Sequence, residues 1–498
     1  MRRYIPFVVA CFFFLILKGK VLVDFALVYT DHDQCTLWHA ATEALHGRLH
    51  EPCFYGQSYN SNLEAWLAVP LLWLKIPVEV AVPLVTSLLA SLLFLLPAVG
   101  FLIRGNLLAA WSFIIMGFLS AADLHLIMSM PRGFINGLFV VVCGYFFYLI
   151  SEKRWTQYIL FFSMSLGFWI NPNSIVLSAA IFLFDWCQRE GKMEWYMAIG
   201  GTLTAMIYKI FTFWFYSVHP LYDYHKKKML VFEWDEWSER MVHLDHFFFN
   251  KSWLFLLCMA LSFLLFLKNK KTKAILALLF FVIFFCLTIG MERVGDGIKP
   301  IYYHPGRMYL GMPLAVALIT AVAFKKYRLS RHGLLNMALG LVCLFLLYTG
   351  ITHVDQRIVA QMRTDDHGVV VERVDSVKLR FQKTKLACDA QAVDLVVFTE
   401  KFHACWIDTY AIPALSDGKI NTIDLREDRR GWRFEEERLQ SERHCLVMGC
   451  GDPDQIRPTQ MMMNAGVYER ITSCYFLQTT TNVPDHFRPM LKHVRYGY

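Results

Sequence analysis

This chain is poor in charge. Of its 498 residues only 18% are Asp, Glu, Lys or Arg, whereas 56% are hydrophobic and 15% aromatic. Apolar runs near membrane-spanning length recur through the first 352 positions. A soluble core rarely needs such runs, so the composition excludes an ordinary globular enzyme and points to a polytopic membrane protein. Repeats and low-complexity segments are missing. So is a zinc-ligand spacing, since Cys445 and Cys450 have four residues between them and no second pair follows. No small-x-small cleavage site follows the first apolar run, Ile5 to Leu17, which comes after Arg2 and Arg3. That run therefore reads as a retained helix with a cytoplasmic N-terminus. The formal charge of +8 does not make a nucleic-acid binder, because much of the basic charge sits in short turns between apolar runs, as orientation in a bilayer requires.

Arg104, Glu152-Lys153-Arg154, Gln188-Arg189, Lys268 to Lys271 and Lys325-Lys326 fall on one side of a path of about eleven crossings. The same path puts outside the loop with Asp31 and Asp33, the loop from His219 to Asn250, the loop from Met291 to Arg307, and everything after Thr352. Lys226-Lys227-Lys228 conflicts with the orientation rule and is accepted because long loops weigh less. From 353 to 498 charged residues return and apolar stretches shrink to strand length. Val393 to Phe398 and Cys445 to Met448 read as buried strands, and Asp428 to Arg443 as a charged, solvated helix. The expectation is a multi-pass α-helical membrane domain over 1–352 and a small extracytoplasmic α/β domain over 353–498.

The thirteen cysteines divide by place. Cys11, Cys143, Cys187, Cys258, Cys286 and Cys343 lie in or at the ends of apolar helices, where a thiol acts as a small hydrophobe. Cys35, Cys53, Cys388, Cys405, Cys445, Cys450 and Cys474 are expected outside, where an oxidising environment permits bridges, Cys35 to Cys53 first among them.

The outer loop after the first helix carries the chemistry-bearing residues. Asp31 and Asp33, just beyond a helix end, can serve as a general base, as metal ligands, or simply as solvated loop charge. Downstream come Tyr55, Gln57, Tyr59, Asn60 and Glu64, a polar set able to hold sugar hydroxyls. An interfacial aromatic belt would account for the tyrosines but not for Gln57, Asn60 and Glu64.

Asp33-Gln34, Gly47, Phe54-Tyr55-Gly56-Gln57-Ser58-Tyr59 and Leu63-Glu64-Ala65 resemble, in order and spacing, the first outer loop of bacterial GT-C superfamily glycosyltransferases. The relevant members are the protein mannosyltransferase and aminoarabinose transferase group. Counting back from Gly47 puts the family's acidic residue on Asp33, with Asp31 an extra neighbour and Gln34 where the family often has Glu. Gly167-Phe168-Trp169-Ile170-Asn171-Pro172 resembles that group's Gly-x-x-Trp-x-x-Pro turn, which suggests a binding role for Trp169 and Asn171 beside the plain structural role of a helix turn. Tyr302 to Leu310 resembles its Arg-Tyr-Leu segment, with Met308 interposed.

The resemblance implies a GT-C fold and a polyprenyl-phosphate-linked sugar as donor. It also implies an envelope glycan, lipid or protein acceptor on the outer face of a bacterial inner membrane, and inversion at the anomeric carbon. Asp33 or Asp31 would be the base. Arg307, with Lys299, Tyr303 and His304, would hold the lipid phosphate, since a guanidinium grips phosphate oxygens in a two-pronged way; a snorkelling interface anchor is the plainer reading of Arg307. A divalent cation, Mg or Mn, is an open expectation, because some relatives use one and others do not. The rival from another class is a transporter or flippase of a lipid-linked or small polar substrate, for which Asp123, His125 and Lys209 are the membrane-depth candidates.

Overall fold

The computed structural model describes residues 4–151, 153–186, 194–219, 310–323, 333–362, 371–398 and 403–425, with isolated positions and short pieces of the remaining tail. The first apolar run forms α1 (Ile5–Val21), with Pro6 in its opening turn, where the missing N–H is no loss, and a π turn over Leu22–Ala26. After strand β1 (Tyr29–Thr30) comes α2 (His32–Leu45), and Gly47 takes φ +74° just beyond its end, a left-handed position that suits glycine. Next are α3 (Leu63–Trp73), α4 (Val78–Ile103), α5 (Leu107–Leu119), α6 (Ala122–Ser129), α7 (Asn136–Ile150), α8 (Trp155–Ile170), α9 (Ile175–Ala180) and α10 (Trp195–Val218). Then follow α11 (Met312–Ala323) and α12 (Gly333–Met362).

Four helical stretches among the described residues are long and apolar enough to cross a membrane: Ile5–Ala26, Val78–Ile103, Trp195–Val218 and Leu334–Ala360. Shorter apolar helices pack between them, including Leu107–Leu119 and Asn136–Ile150. On α10 the apolar side chains Ile207, Ile210, Phe213 and Trp214 are exposed, as a lipid-facing surface would be. The chain is a polytopic helical membrane protein.

Small residues set one close approach in this bundle. A Cβ on Gly137 of α7 would stand 2.5 Å from the carbonyl oxygen of Gly167 on α8, and one on Gly167 would stand 2.6 Å from that of Gly137. The Gly167 of the turn motif is thus needed for backbone contact between two helices, in the manner of small-residue interfaces in membranes.

The tail adds β2 (Glu372–Arg373), α13 (Val374–Gln391), β3 (Leu395–Phe398), α14 (His403–Leu415), β4 (Asn421–Asp424), β5 (His444–Met448), β6 (Met462–Met463) and β7 (Cys474–Gln478). Five of these strands make a sheet in the order β4-β3-β5-β7-β6, in which β3 runs parallel to β4 and β5, and β7 antiparallel to β5 and β6. Every residue of Leu-Val-Val-Phe in β3 is buried, as expected of a parallel strand covered on both faces. The two strands read from sequence are therefore present, each within a residue or two of its expected bounds.

The tail is tied to the first loop at several points. β1 and β2 pair antiparallel, Tyr29 opposite Arg373 and Thr30 opposite Glu372. Arg380 on α13 contacts Glu372 and reaches the Asp408 carboxylate on α14 at 2.8 Å, while α14 packs along α2.

Two expectations are corrected. The start of Asp428 to Arg443 is not a solvated charged face: Asp428, Arg430 and Arg433 are all buried. Arg430 donates to Asp428 at 2.9 Å and to the Thr422 carbonyl at 3.1 Å, and lies over the Tyr410 ring, so its charge is met inside the domain. The rest of that stretch lies outside the described residues. Cys35 and Cys53 are free thiols rather than a bridge. Cys35 is buried in α2 with its sulfur 3.4 Å from the Thr30 hydroxyl, and Cys53 faces the Tyr208 hydroxyl of α10 at 3.5 Å, so each is committed to a different neighbour.

Candidate active site

Asp31 opens α2. Its backbone is extended, and its carboxylate accepts the Gln34 N–H at 2.9 Å, satisfying one of the orphan donors of the first turn. Asp33 lies inside that first turn. Between the two carboxylates sits Arg132, from the Pro131–Gly133 turn that joins α6 to α7. Its Nη2 is 3.0 Å from Asp31 Oδ2 and also contacts Asp33 Oδ2. His32 Nε2 stands 3.4 Å from Asp33 Oδ1. The aspartates differ in exposure, with 1% of the Asp31 side chain reachable by solvent against 18% for Asp33. Asp31 is spent on the helix cap and the buried ion pair; Asp33 keeps an approachable face.

The same turn gathers other residues read from sequence. Glu64, at the start of α3, accepts the Gly133 N–H at 2.9 Å, and Gly133 takes φ +74° with the Ser61 carbonyl close by. Asn171 donates to Asn60 Oδ1 at 2.5 Å and to the Gly133 carbonyl at 3.3 Å, while Asn60 donates to Gln57 Oε1 at 3.4 Å. Asn60 itself takes φ +61°, a conformation that asparagine tolerates better than most residues. Asn136 closes the ring by donating to the Ser61 carbonyl at 3.0 Å. Asp31, Asp33, Gln57, Asn60, Glu64 and Asn171 thus meet around one turn. Trp169 sits partly buried nearby, with Lys209 Nζ 5.8 Å from its ring centre, and Tyr59 is half-buried in the loop.

Tyr55 goes elsewhere. Its ring is buried among His39, His50 and Trp432, with Trp432 stacked on His50 at 3.4 Å between ring centres. This cluster docks the tail onto α2. Arg433 donates to His39 Nε2 at 3.1 Å, and burial, seconded by the charges of Arg433 and Arg430, holds His39 well below the usual histidine range. Burial pushes the Glu43 carboxyl up, but the His50 hydrogen bond and the charges of Arg433 and Arg48 outweigh it and leave it below its ordinary value. Beneath the loop, Glu51 accepts the Gly56 N–H at 3.1 Å and the Tyr216 hydroxyl at 3.1 Å, pinning the Phe54 to Tyr59 segment to α10.

Arg307, Lys299, Tyr303 and His304 lie outside the described residues. So do Lys226-Lys227-Lys228 and the spans read between 253 and 289, a lone position apart. Two of the three membrane-depth candidates for transport are paired within the bundle, Asp123 with Arg357 of α12 and His125 with Lys18 of α1, whose Nζ is 3.0 Å from Nδ1, while the third, Lys209, lies over the Trp169 ring. Arg132 escaped the sequence reading altogether. The available signal was a single cation between Pro131 and Gly133, where two apolar stretches meet.

Among the described residues no three His, Cys, Asp or Glu side chains converge as a metal site. Asp31 and Asp33 are both bound to a guanidinium that fills the place a cation would take, so this donor set does not fit a divalent ion.

No protein-family model and no curated protein matches the chain. Among solved structures it is similar to ArnT from Cupriavidus metallidurans in the apo state, at 12% identity and a TM-score of 0.51, over 95% of this chain and 97% of that one. At that identity the likeness concerns architecture, and it extends over nearly the whole length of both proteins. The chain is a polytopic membrane protein with the fold of ArnT.

Proposed function

We propose that this protein is an integral-membrane glycosyltransferase of GT-C type. It moves a sugar from a polyprenyl-phosphate-linked donor to an acceptor on the outer face of a bacterial inner membrane, with inversion and with Asp33 as the base. The observation that carries the reading is the paired carboxylate site at the first loop, where Arg132 fixes two aspartates and only Asp33 stays open to an incoming group. The ArnT-like fold and the sugar-type polar lining of Gln57, Asn60, Glu64 and Asn171 support it.

In the proposed reaction the acceptor hydroxyl or amine gives its proton to the Asp33 carboxylate as its oxygen or nitrogen attacks the anomeric carbon. The bond from that carbon to the phosphate oxygen breaks, and polyprenyl phosphate departs with the electron pair. A positioned base of this kind contributes about a hundredfold to ten-thousandfold. Arg132 is a positioning residue: it holds the Asp33 carboxylate against α2 and spares it a solvent-facing search. Arg307, aided by Lys299, Tyr303 and His304, is assigned to the departing phosphate. The part of the tail that follows α12, through β2 and α14, backs the loop.

Membranes carrying the protein, supplied with radiolabelled polyprenyl-phosphate sugars, are expected to transfer label to a glycan, lipid or protein fraction, with the opposite anomeric configuration in the product. Label that crosses the membrane on its lipid without joining an acceptor would replace the transferase by a flippase.

A further inference from the structure

A cavity of about 550 Å³ opens at the far end of α2 from Asp33, between the α3–α4 turn and the tail helices α13 and α14. Twelve residues of helix separate Asp33 from Leu45 at its wall, roughly 18 Å of axial rise, so the cavity is apart from the carboxylate site. Its size is that of a small-molecule pocket. Its lining mixes apolar side chains, among them Leu72, Ile76 and Phe381, with the charged Lys75, Lys378, Glu79 and Asp417.

The two lysines of the lining are placed differently. Lys378 Nζ is 2.8 Å from Glu79, and Asp417 faces His46 Nε2 at 3.7 Å. Lys75 has neither an ion pair nor a side-chain hydrogen bond with any described residue, and it is exposed. Its backbone is held at φ +61°, with its N–H bonded to the Leu72 carbonyl at 2.8 Å. An L-residue adopts that conformation at a cost, so the turn presents an ammonium from a fixed, unfavourable backbone. Of the two lysines in the lining, Lys75 is therefore the one whose ammonium no described side chain holds.

The surroundings give the level of the cavity in the membrane. The turn directly precedes α4, one of the spanning helices, and on it Trp73 and Leu74 are 68% and 74% exposed. An exposed Trp beside Lys at the mouth of a span is the arrangement found at lipid headgroup depth. Pro77 lines the cavity, and Leu84 and Leu88, seven and eleven positions on along α4, share its helix face and are exposed, so an apolar track leads from the cavity along the span.

We propose that this cavity binds the phosphate-bearing headgroup of an anionic phospholipid from the leaflet on the tail-domain side, with Lys75 meeting the phosphodiester and the acyl chains lying along α4. The site is separate from the transferase reading and stands or falls without it. Phosphate is the shared chemistry of a lipid headgroup and a free anion, and the assay separates the two.

The test uses the full chain purified in detergent and native mass spectrometry with phosphatidylglycerol or phosphatidylcholine of equal acyl length, with and without millimolar inorganic phosphate. The wild type is expected to retain phosphatidylglycerol about fivefold better than phosphatidylcholine, the effect of one interfacial lysine. Lys75→Asn, which keeps the left-handed backbone and removes the charge, should abolish that preference, and Lys75→Glu should reverse it; inorganic phosphate should leave the bound lipid in place. An unchanged preference in Lys75→Glu, no preference in the wild type, or displacement of the lipid by inorganic phosphate would each overturn the proposal.

Discussion

Asp31 and Asp33 are two positions apart, yet the fold gives them different work: one caps a helix and is closed off, the other keeps a face to solvent. Arg132 makes the difference, and its removal tests the arrangement. Arg132→Gln leaves the buried Asp31 charge without its partner, a loss of about 3–5 kcal/mol for a broken buried pair. The unfolding midpoint in detergent should fall accordingly and sugar transfer should fall with it. Arg132→Lys is expected to recover stability better than transfer, since an ammonium lacks the planar fork that meets two carboxylates. Equal recovery of both would remove the positioning role. Asn60 supplies a second test. Asn60→Gly keeps the backbone at φ +61° and loses only the Asn171 and Gln57 bonds, whereas Asn60→Ala adds left-handed strain. Alanine is therefore expected to be less stable than glycine here by about 1 kcal/mol, read from the same melting curves. Asn60 and Asn171 were both legible in the sequence as polar residues in a suggestive context. Their partnership was not, because 111 residues separate them and they meet only where both reach the Gly133 turn. Arg132 was illegible for a related reason: a lone arginine in a short turn has no periodicity or spacing to mark it.

At the scale of elements, the apolar runs of the first 352 positions foretold a helical membrane bundle, and the two buried runs of the tail foretold its central strands. The first residues of Asp428 to Arg443 were misread because composition cannot tell a solvated charge from one neutralised inside, as Arg430 is by Asp428, beside the Thr422 carbonyl and the Tyr410 ring. The cysteine pairing failed on the same ground, since nearness in sequence said nothing of Thr30 and Tyr208 as the actual neighbours. Alkylation of the protein unfolded without reductant should therefore label both Cys35 and Cys53; a peptide pair joined by a disulfide would contradict the structure. The α7–α8 crossing makes a further prediction. Gly167→Ala sets a methyl 2.6 Å from a backbone oxygen, which neither helix can yield without separating. A destabilisation of about 1–3 kcal/mol is expected in thermal unfolding, with a larger loss of transfer because Asn171 rides on the end of α8.

For the whole molecule, the tail and the membrane domain are held together by β1–β2 and by the aromatic cluster around Trp432, so events in the tail reach the helix that carries Asp33. Acidity is one such event. His39 is neutral in the docked state and accepts from Arg433, and its folded value lies below the ordinary 6.5. The unfolded chain thus binds the extra proton, and the contribution of His39 is fully present above about pH 6.5 and is lost as pH falls below it, with a slope approaching about 1.4 kcal/mol per unit. Melting temperature should drop between pH 7 and 5, and His39→Gln should flatten that part of the profile; an unaltered profile would show that the dock does not depend on His39. Such a coupling also explains why the sequence marks the Asp33 loop as a candidate but not its support, which comes from residues nearly four hundred positions away. The account as a whole rests on one carboxylate, and transfer from a radiolabelled polyprenyl-phosphate sugar in membranes carrying wild type, Asp33→Asn or Asp31→Asn at matched expression addresses it most directly. A loss of at least about a hundredfold in Asp33→Asn, with a smaller loss that follows folded protein in Asp31→Asn, is the expected result. Equal transfer by Asp33→Asn and wild type would contradict it.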